Sequence, residues 1–149
     1  MKTLICFSII LVAFFVSNSA IAQKEIYSDS NGAIHGYDPV SYFKKSQPVK
    51  GNKAHTITWK GTPWYFESAE NLKAFSDAPE KYAPQYGGYC AYGLAKGYKA
   101  KISPDAWSIV NGKLYLNYNK DVQKMWDDDQ RSFIQQADDN WPTVKNKKE

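Results

Sequence analysis

Polar and apolar positions alternate along residues 54–59: His55, Ile57 and Trp59 point one way, Thr56 and Thr58 the other. That is the period of a half-buried strand. Thr62-Pro63-Trp64-Tyr65-Phe66 follows after Lys60-Gly61. The pattern predicts a hairpin with Lys60-Gly61 as its two-residue turn, Trp64 opposite Ile57 and Phe66 opposite His55. Pro63 then falls in a non-hydrogen-bonded pair, where its missing N–H costs nothing. A second hairpin is predicted at Asn111-Gly112, between Trp107-Ser108-Ile109-Val110 and Lys113-Leu114-Tyr115-Leu116. Its register pairs Ile109 with Leu114 and Trp107 with Leu116 on one face. Helical spacing follows Ser68, a cap with Glu70 in the first turn and Leu72 and Phe75 on one side; Pro79 stops that helix near Asp77. A longer helix is predicted from about Asp121 to Gln136, capped by Asn119. Val122, Met125, Trp126, Phe133, Ile134 and Ala137 form its apolar stripe, and Trp141-Pro142 ends it. Asp38-Pro39 reads as a turn into Val40-Ser41-Tyr42-Phe43, a short strand or a single turn, before a basic loop over 44–53. The expected fold is α+β: a small single domain with two β-hairpins forming an antiparallel sheet packed by two or three helices.

The first 22 residues break this pattern. Lys2 precedes an apolar run from Leu4 to Val16, and Ala20-Ile21-Ala22 is a small-x-small cleavage site before Gln23. This is the layout of a secretory signal peptide, and the run is too short to span a bilayer comfortably. No cysteine follows the cleavage site to carry a lipid, so no membrane anchor is expected, and the mature protein is expected in the periplasm or secreted. Residues 23–32 read as a polar N-terminal arm and residues 143–149 as a basic C-terminal tail.

Composition changes the picture in two ways. All 11 Tyr and all 5 Trp lie beyond residue 22, so the core has to be built largely from rings. Of the 2 Cys, Cys6 leaves with the leader and Cys90 stands alone, which excludes an intramolecular disulfide, a CxxC redox centre and a four-cysteine zinc site. The net charge of +4 is mild and its lysines are scattered, so no nucleic-acid partner is expected.

The chemistry concentrates in Pro84–Tyr98, where four glycines, four tyrosines and Cys90 fall together. One reading buries Cys90 as a small apolar residue while the tyrosines pack over glycine backbone. The other sets a thiol and tyrosine hydroxyls at the lip of a pocket suited to a soft metal ion or a small ligand. Neither His35 nor His55 has a partner at metal-ligand spacing, and no nucleophile elbow, HExxH or calcium-loop register occurs. The candidate ligand-binding residues are Cys90, Tyr89, Tyr92, His35, Asp38 and His55, with Cys90 the candidate metal ligand.

Gly36–Phe43, Trp64–Asn71, Pro79–Gly93 and Asn111–Asn119 resemble the exported bacterial YHS domain-containing proteins, and the resemblance covers about residues 33–142. It implies a small α+β domain and an association with heavy-metal handling. The metal-binding pattern of that family carries three thiols, and the matching positions here hold Ser41, Glu67 and Asn71. Serine and asparagine are poor ligands for a soft cation, so that thiolate site is expected to be lost, and any copper- or zinc-like ion would need a new site around Cys90. The first functional reading is therefore an exported, non-catalytic YHS-type binding domain for an unknown small ligand. The alternative is a metal-free structural or protein-interaction module, and a thiol-dependent enzyme ranks last. Cys90→Ser is expected to cost more stability than Cys90→Ala, because it buries a hydroxyl.

Overall fold

The computed structural model describes residues 24–147. The predicted leader at residues 1–22 lies outside them, as does the end of the basic tail. Among the described residues, no helix is long and apolar enough to cross a membrane.

The architecture is α+β. Both predicted hairpins form, and a third precedes them: β1 (Ser28–Asp29) pairs with β2 (Gly32–Ala33). Residues 24–33, read as an arm from their polarity, thus turn back on themselves and bury Ile26 and Tyr27 in the core. β3 (Asn52–Trp59) pairs with β4 (Thr62–Phe66), with Trp59 opposite Thr62, Thr58 opposite Pro63 and Ile57 opposite Trp64. Lys60-Gly61 is the turn. The register then shifts, and Phe66 meets Asn52 rather than His55. The bulge in β3 absorbs the extra residues and bends that strand. β5 (Ser103–Val110) and β6 (Lys113–Asn117) pair in the expected register around Asn111-Gly112. The three hairpins remain separate two-stranded sheets.

Helices fill the space between them. α1 (Pro39–Lys45) replaces the expected short strand or single turn. Proline at the first helical position and Asp38, whose Oδ1 accepts from Val40 N, start a helix there despite the β-branched Val40. α2 (Ala69–Asp77) follows its Ser68 cap as predicted. Two short helices, α3 (Pro79–Tyr82) and α4 (Ala91–Ala95), occupy a segment that carries too few residues for a periodic signal. The long C-terminal helix is two: α5 (Lys120–Asp127), capped by Asn119, and α6 (Gln130–Val144). Asp129 breaks the run, because its side chain accepts from Ser132 N and caps a new helix. Pro142 sits inside α6 instead of ending it, and Val144 beyond it is buried.

Rings form the core. Trp64, Trp126, Tyr42, Tyr89, Phe66 and Phe75 are its largest fully buried side chains. Phe75 of α2 lies 5.2 Å from the rings of both Trp64 and Phe66, which ties that helix to the β3–β4 hairpin. Tyr115 and Trp126, with ring centres 5.2 Å apart, tie α5 to the β5–β6 hairpin. Two left-handed turns abut near the N-terminus: Ile34-His35-Gly36 and Tyr86-Gly87-Gly88 all have positive φ. Gly87 is required there, since a Cβ would collide with the Glu25 carbonyl oxygen.

Candidate functional site

The six residues singled out in the sequence are distributed over separate places. Asp38 is fully buried at the start of α1. Its Oδ1 accepts from Val40 N at 2.8 Å; its Oδ2 accepts from Glu67 N at 3.0 Å and from Asn71 Nδ2 at 2.7 Å. Asn71 Nδ2 also lies 3.4 Å from Ser41 Oγ and 3.2 Å from Glu67 Oε1. The three positions at which the family pattern carries thiols therefore converge. Here an amide nitrogen stands among oxygens, and Lys45 Nζ closes the outer side at 2.7 Å from Glu67 Oε2. The cluster pins α1 to α2 and to the end of β4.

His35 belongs to the N-terminal hairpin. Its Nδ1 lies 2.6 Å from Asp29 Oδ2, and its Nε2 lies 3.0 Å from the Ile102 carbonyl oxygen and 3.2 Å from the Tyr27 hydroxyl. Burial raises the Asp29 pKa, but hydrogen bonds from His35 and Asn31 outweigh it and hold the carboxyl below its ordinary value. Tyr89 is buried against Tyr27, with ring centres 5.5 Å apart, and its hydroxyl donates to the Lys24 carbonyl. His55 is half-buried on β3, on the face the alternation assigned to it.

Cys90 and Tyr92 stand together. Cys90 is 1% exposed and caps α4, its Sγ accepting from Gly93 N at 3.4 Å. Its thiol donates to Asn117 Oδ1 at 3.6 Å. Burial raises the thiol pKa, and backbone N–H groups of Gly93, Tyr118 and Tyr92 only partly offset that. The thiol is packed, and Cys90 also borders a groove of about 310 Å³ with Tyr92, Tyr98, Ala100, Tyr118, Val122 and Met125. Lys96 Nζ sits 5.2 Å from the centre of the Tyr92 ring and Lys101 Nζ 5.5 Å from that of Tyr118, so cations cover two of the walls.

Sequence reasoning placed Met125 in the apolar stripe of the last helix, but it is exposed and faces this groove. The helix breaks at Asp129, so Val122 and Trp126 alone carry the α5 side of the stripe. Asn117 was missed altogether. It is fully buried, its Oδ1 also accepts from Tyr92 N at 3.1 Å, and its Nδ2 has no hydrogen-bond partner among the described residues. A lone asparagine after a strand reads as a turn residue, and nothing local marks it as buried.

The family model for the YHS domain matches residues 40–86. The chain contains a YHS domain. No curated protein and no solved structure matches it. The matched YHS segment runs from α1 to the second left-handed turn, so it includes Ser41, Glu67 and Asn71. It stops short of Cys90, and every residue lining the groove lies in the portion of the chain that follows the match.

Proposed function

We propose that this YHS domain-containing chain is an exported, non-catalytic binding domain whose working surface is the groove over Cys90. One observation carries the reading: of the four most exposed large apolar side chains among the described residues, three (Tyr98, Tyr118 and Met125) line that single groove. Singly scattered apolar side chains are ordinary on a surface; a gathered set bordered by charged groups marks a place where something binds. The walls offer aromatic faces, aliphatic carbon, a thioether and a thiol whose burial disfavours the thiolate. That inventory suits holding a ligand better than turning one over. YHS domains are linked to metal handling, which keeps a copper- or zinc-like ion among the ligands to test. The exposed tyrosines equally suit a metal-free module that meets a protein partner, which is the second reading. Export rests on the signal-like residues 1–22, and the mature chain is expected to begin at or next to Gln23.

Anilinonaphthalene sulfonate, an apolar dye with one anionic group, tests the groove. It should bind the native protein saturably, with fluorescence enhancement that falls at least severalfold in Tyr98→Ser and Tyr118→Ser variants of unchanged circular dichroism. Equal binding by both variants overturns the assignment of the groove.

A further inference from the structure

The groove is apolar in its lining and basic along its border. No carboxylate lines it. The Cys90 thiol donates its proton to Asn117 Oδ1, so it adds no negative charge. One wall comes from residues 90–100, inside a stretch from 81 to 104 that holds Lys81, Lys96, Lys99 and Lys101 and neither Asp nor Glu. The other wall is Tyr118, Val122 and Met125, and between its ends the chain carries Lys120 and Lys124 against Asp121. Of the three aspartates that follow Met125, Asp127 meets Gln130 and Asp129 caps α6, and none lines the groove. The volume of about 310 Å³ suits a small molecule, since such sites run from roughly 300 to 1,000 Å³.

A second observation concerns the cations themselves. Lys96 and Lys101 are exposed, and their ammonium groups lie over the wall rings of Tyr92 and Tyr118; Lys96 also lies 5.0 Å from the centre of the Phe133 ring. Among the described residues neither enters an ion pair, whereas Lys44, Lys45, Lys60 and Lys73 all do. Lys99, between them in sequence, is engaged elsewhere, donating to the carbonyls of Lys24 and Lys147. Two cations therefore stand at the groove with ring faces as their partners, a weak tie at exposed sites. A lysine ammonium is a point charge with three rotatable donors, so it can turn to an anion without a fixed fork geometry. A second copy of this face would set lysines against lysines, and an apolar cation would be repelled.

We propose that the groove takes a small apolar carboxylic acid, with its chain or ring against Tyr98, Val122 and Met125 and its carboxylate at the border held by Lys96 and Lys101. The proposal rests on the groove being the binding surface and names the ligand class that it takes.

The test is calorimetric titration of the mature protein with three probes that share one chain length: decanoate, decanol and decyltrimethylammonium, each below its micelle concentration. Decanoate should bind saturably, one per chain, and more weakly as ionic strength rises. Decanol and the cation should bind more weakly than decanoate by about fivefold or more, the combined effect expected of two exposed charge contacts. A Lys96→Gln/Lys101→Gln variant should lose that margin for decanoate and keep its affinity for decanol. Both lysines are exposed, so the variant should fold, and circular dichroism checks this. Equal binding of decanoate and decanol, equal binding of the cation, or an unchanged decanoate affinity in the double variant would each overturn the proposal. Capture of the protein on anionic lipid vesicles without any decanoate binding would also overturn it, in favour of a membrane surface. Dye binding separates the two levels. If the dye binds in a Tyr98- and Tyr118-dependent way but decanoate has no advantage over decanol, the inference of an acid alone fails. If the dye does not depend on those tyrosines, the groove reading falls first.

Discussion

At Asp38, each carboxylate oxygen meets a donor, and the buried Asn71 amide beside it lies within reach of three oxygens. At Asn117, behind Cys90, an equally buried side chain keeps one end unpaired. The first cluster lies in or beside the segment matched by the YHS family model, the second beyond it. A buried polar group with all its partners rigidifies its surroundings, whereas one left short costs free energy until something supplies the partner. The contrast separates a place whose polar groups are all engaged from a place with bonding capacity to spare. At the first cluster, Ser41, Glu67 and Asn71 converge. The oxygens there are already bridged by an amide nitrogen, and no soft donor is among them.

The sharpest way to break this comparison is at Asp38. Asp38→Ala would leave Val40 N and Glu67 N without their acceptor, take the nearest of three oxygens from Asn71 Nδ2, and remove the cap of α1. Unpaired buried groups cost about 1–3 kcal/mol apiece, with incomplete additivity, so a loss on the order of 4 kcal/mol is expected in urea unfolding. Dye binding to the groove in the surviving folded fraction should be unaffected. A loss below about 1 kcal/mol would mean that the cluster does not hold the two helices.

Cys90 gives a smaller effect, and its hydrogen bonds argue for the opposite order to the one expected from the sequence. Alanine removes the acceptor for Gly93 N and should cost about 1 kcal/mol, the usual value of a lost cap. A serine hydroxyl at this position can accept from Gly93 N and donate to Asn117 Oδ1, so it is not buried without partners, and Cys90→Ser should cost less than Cys90→Ala. Denaturation of both variants checks the order; the reverse order would mean that packing of the sulfur outweighs its hydrogen bonds. Burial raises the thiol pKa above its ordinary 9.0, so the fold prefers the protonated form. The corresponding stability is complete below the unfolded-state pKa and declines as pH rises through the folded-state one. Cys90→Ala should therefore flatten the alkaline side of the stability profile, and thiol reagents should label the metal-free native protein far more slowly than the unfolded chain.

The smallest expected effect sharpens the comparison from a third region. The Asp29 carboxyl titrates below its ordinary value in the fold, because the hydrogen bonds from His35 and Asn31 outweigh burial. Its contribution is present above the unfolded-state pKa of about 3.9 and is lost as pH falls through the lower folded-state value. Asp29→Asn should remove a shallow acid-side slope in thermal stability and leave the groove and the Asp38 cluster unchanged. An unaltered slope would show that the contact at this partly exposed site is screened by solvent.

Several features were legible because their causes are local. Ser68 and Asn119 cap the helices they were expected to cap, since a cap is decided by a side chain and an N–H three residues away. Lys60-Gly61 and Asn111-Gly112 turn both predicted hairpins, because two-residue loops demand left-handed backbone at those positions. The alternation of His55, Ile57 and Trp59 against Thr56 and Thr58 appears as alternating burial on β3. The errors share a different cause. Phe66 lost its expected partner to a bulge, and the final helix broke where Asp129 found a backbone donor.

The candidate groove falls almost wholly in the second class. The chain composition already left one thiol and one thioether beyond residue 22, and the glycine- and tyrosine-rich segment already set Cys90, Tyr92 and Tyr98 close together. Nothing in the order of residues told that Met125 would face them or that Asn117 would be buried behind them. Those facts arise from packing α4, α5 and the end of β6 against one another, contacts between residues far apart in the chain. Caps and turns are settled by interactions spanning three or four residues, which a linear pattern can register. A groove exists only where several such elements fail to close on one another, and that is a property of their assembly in space.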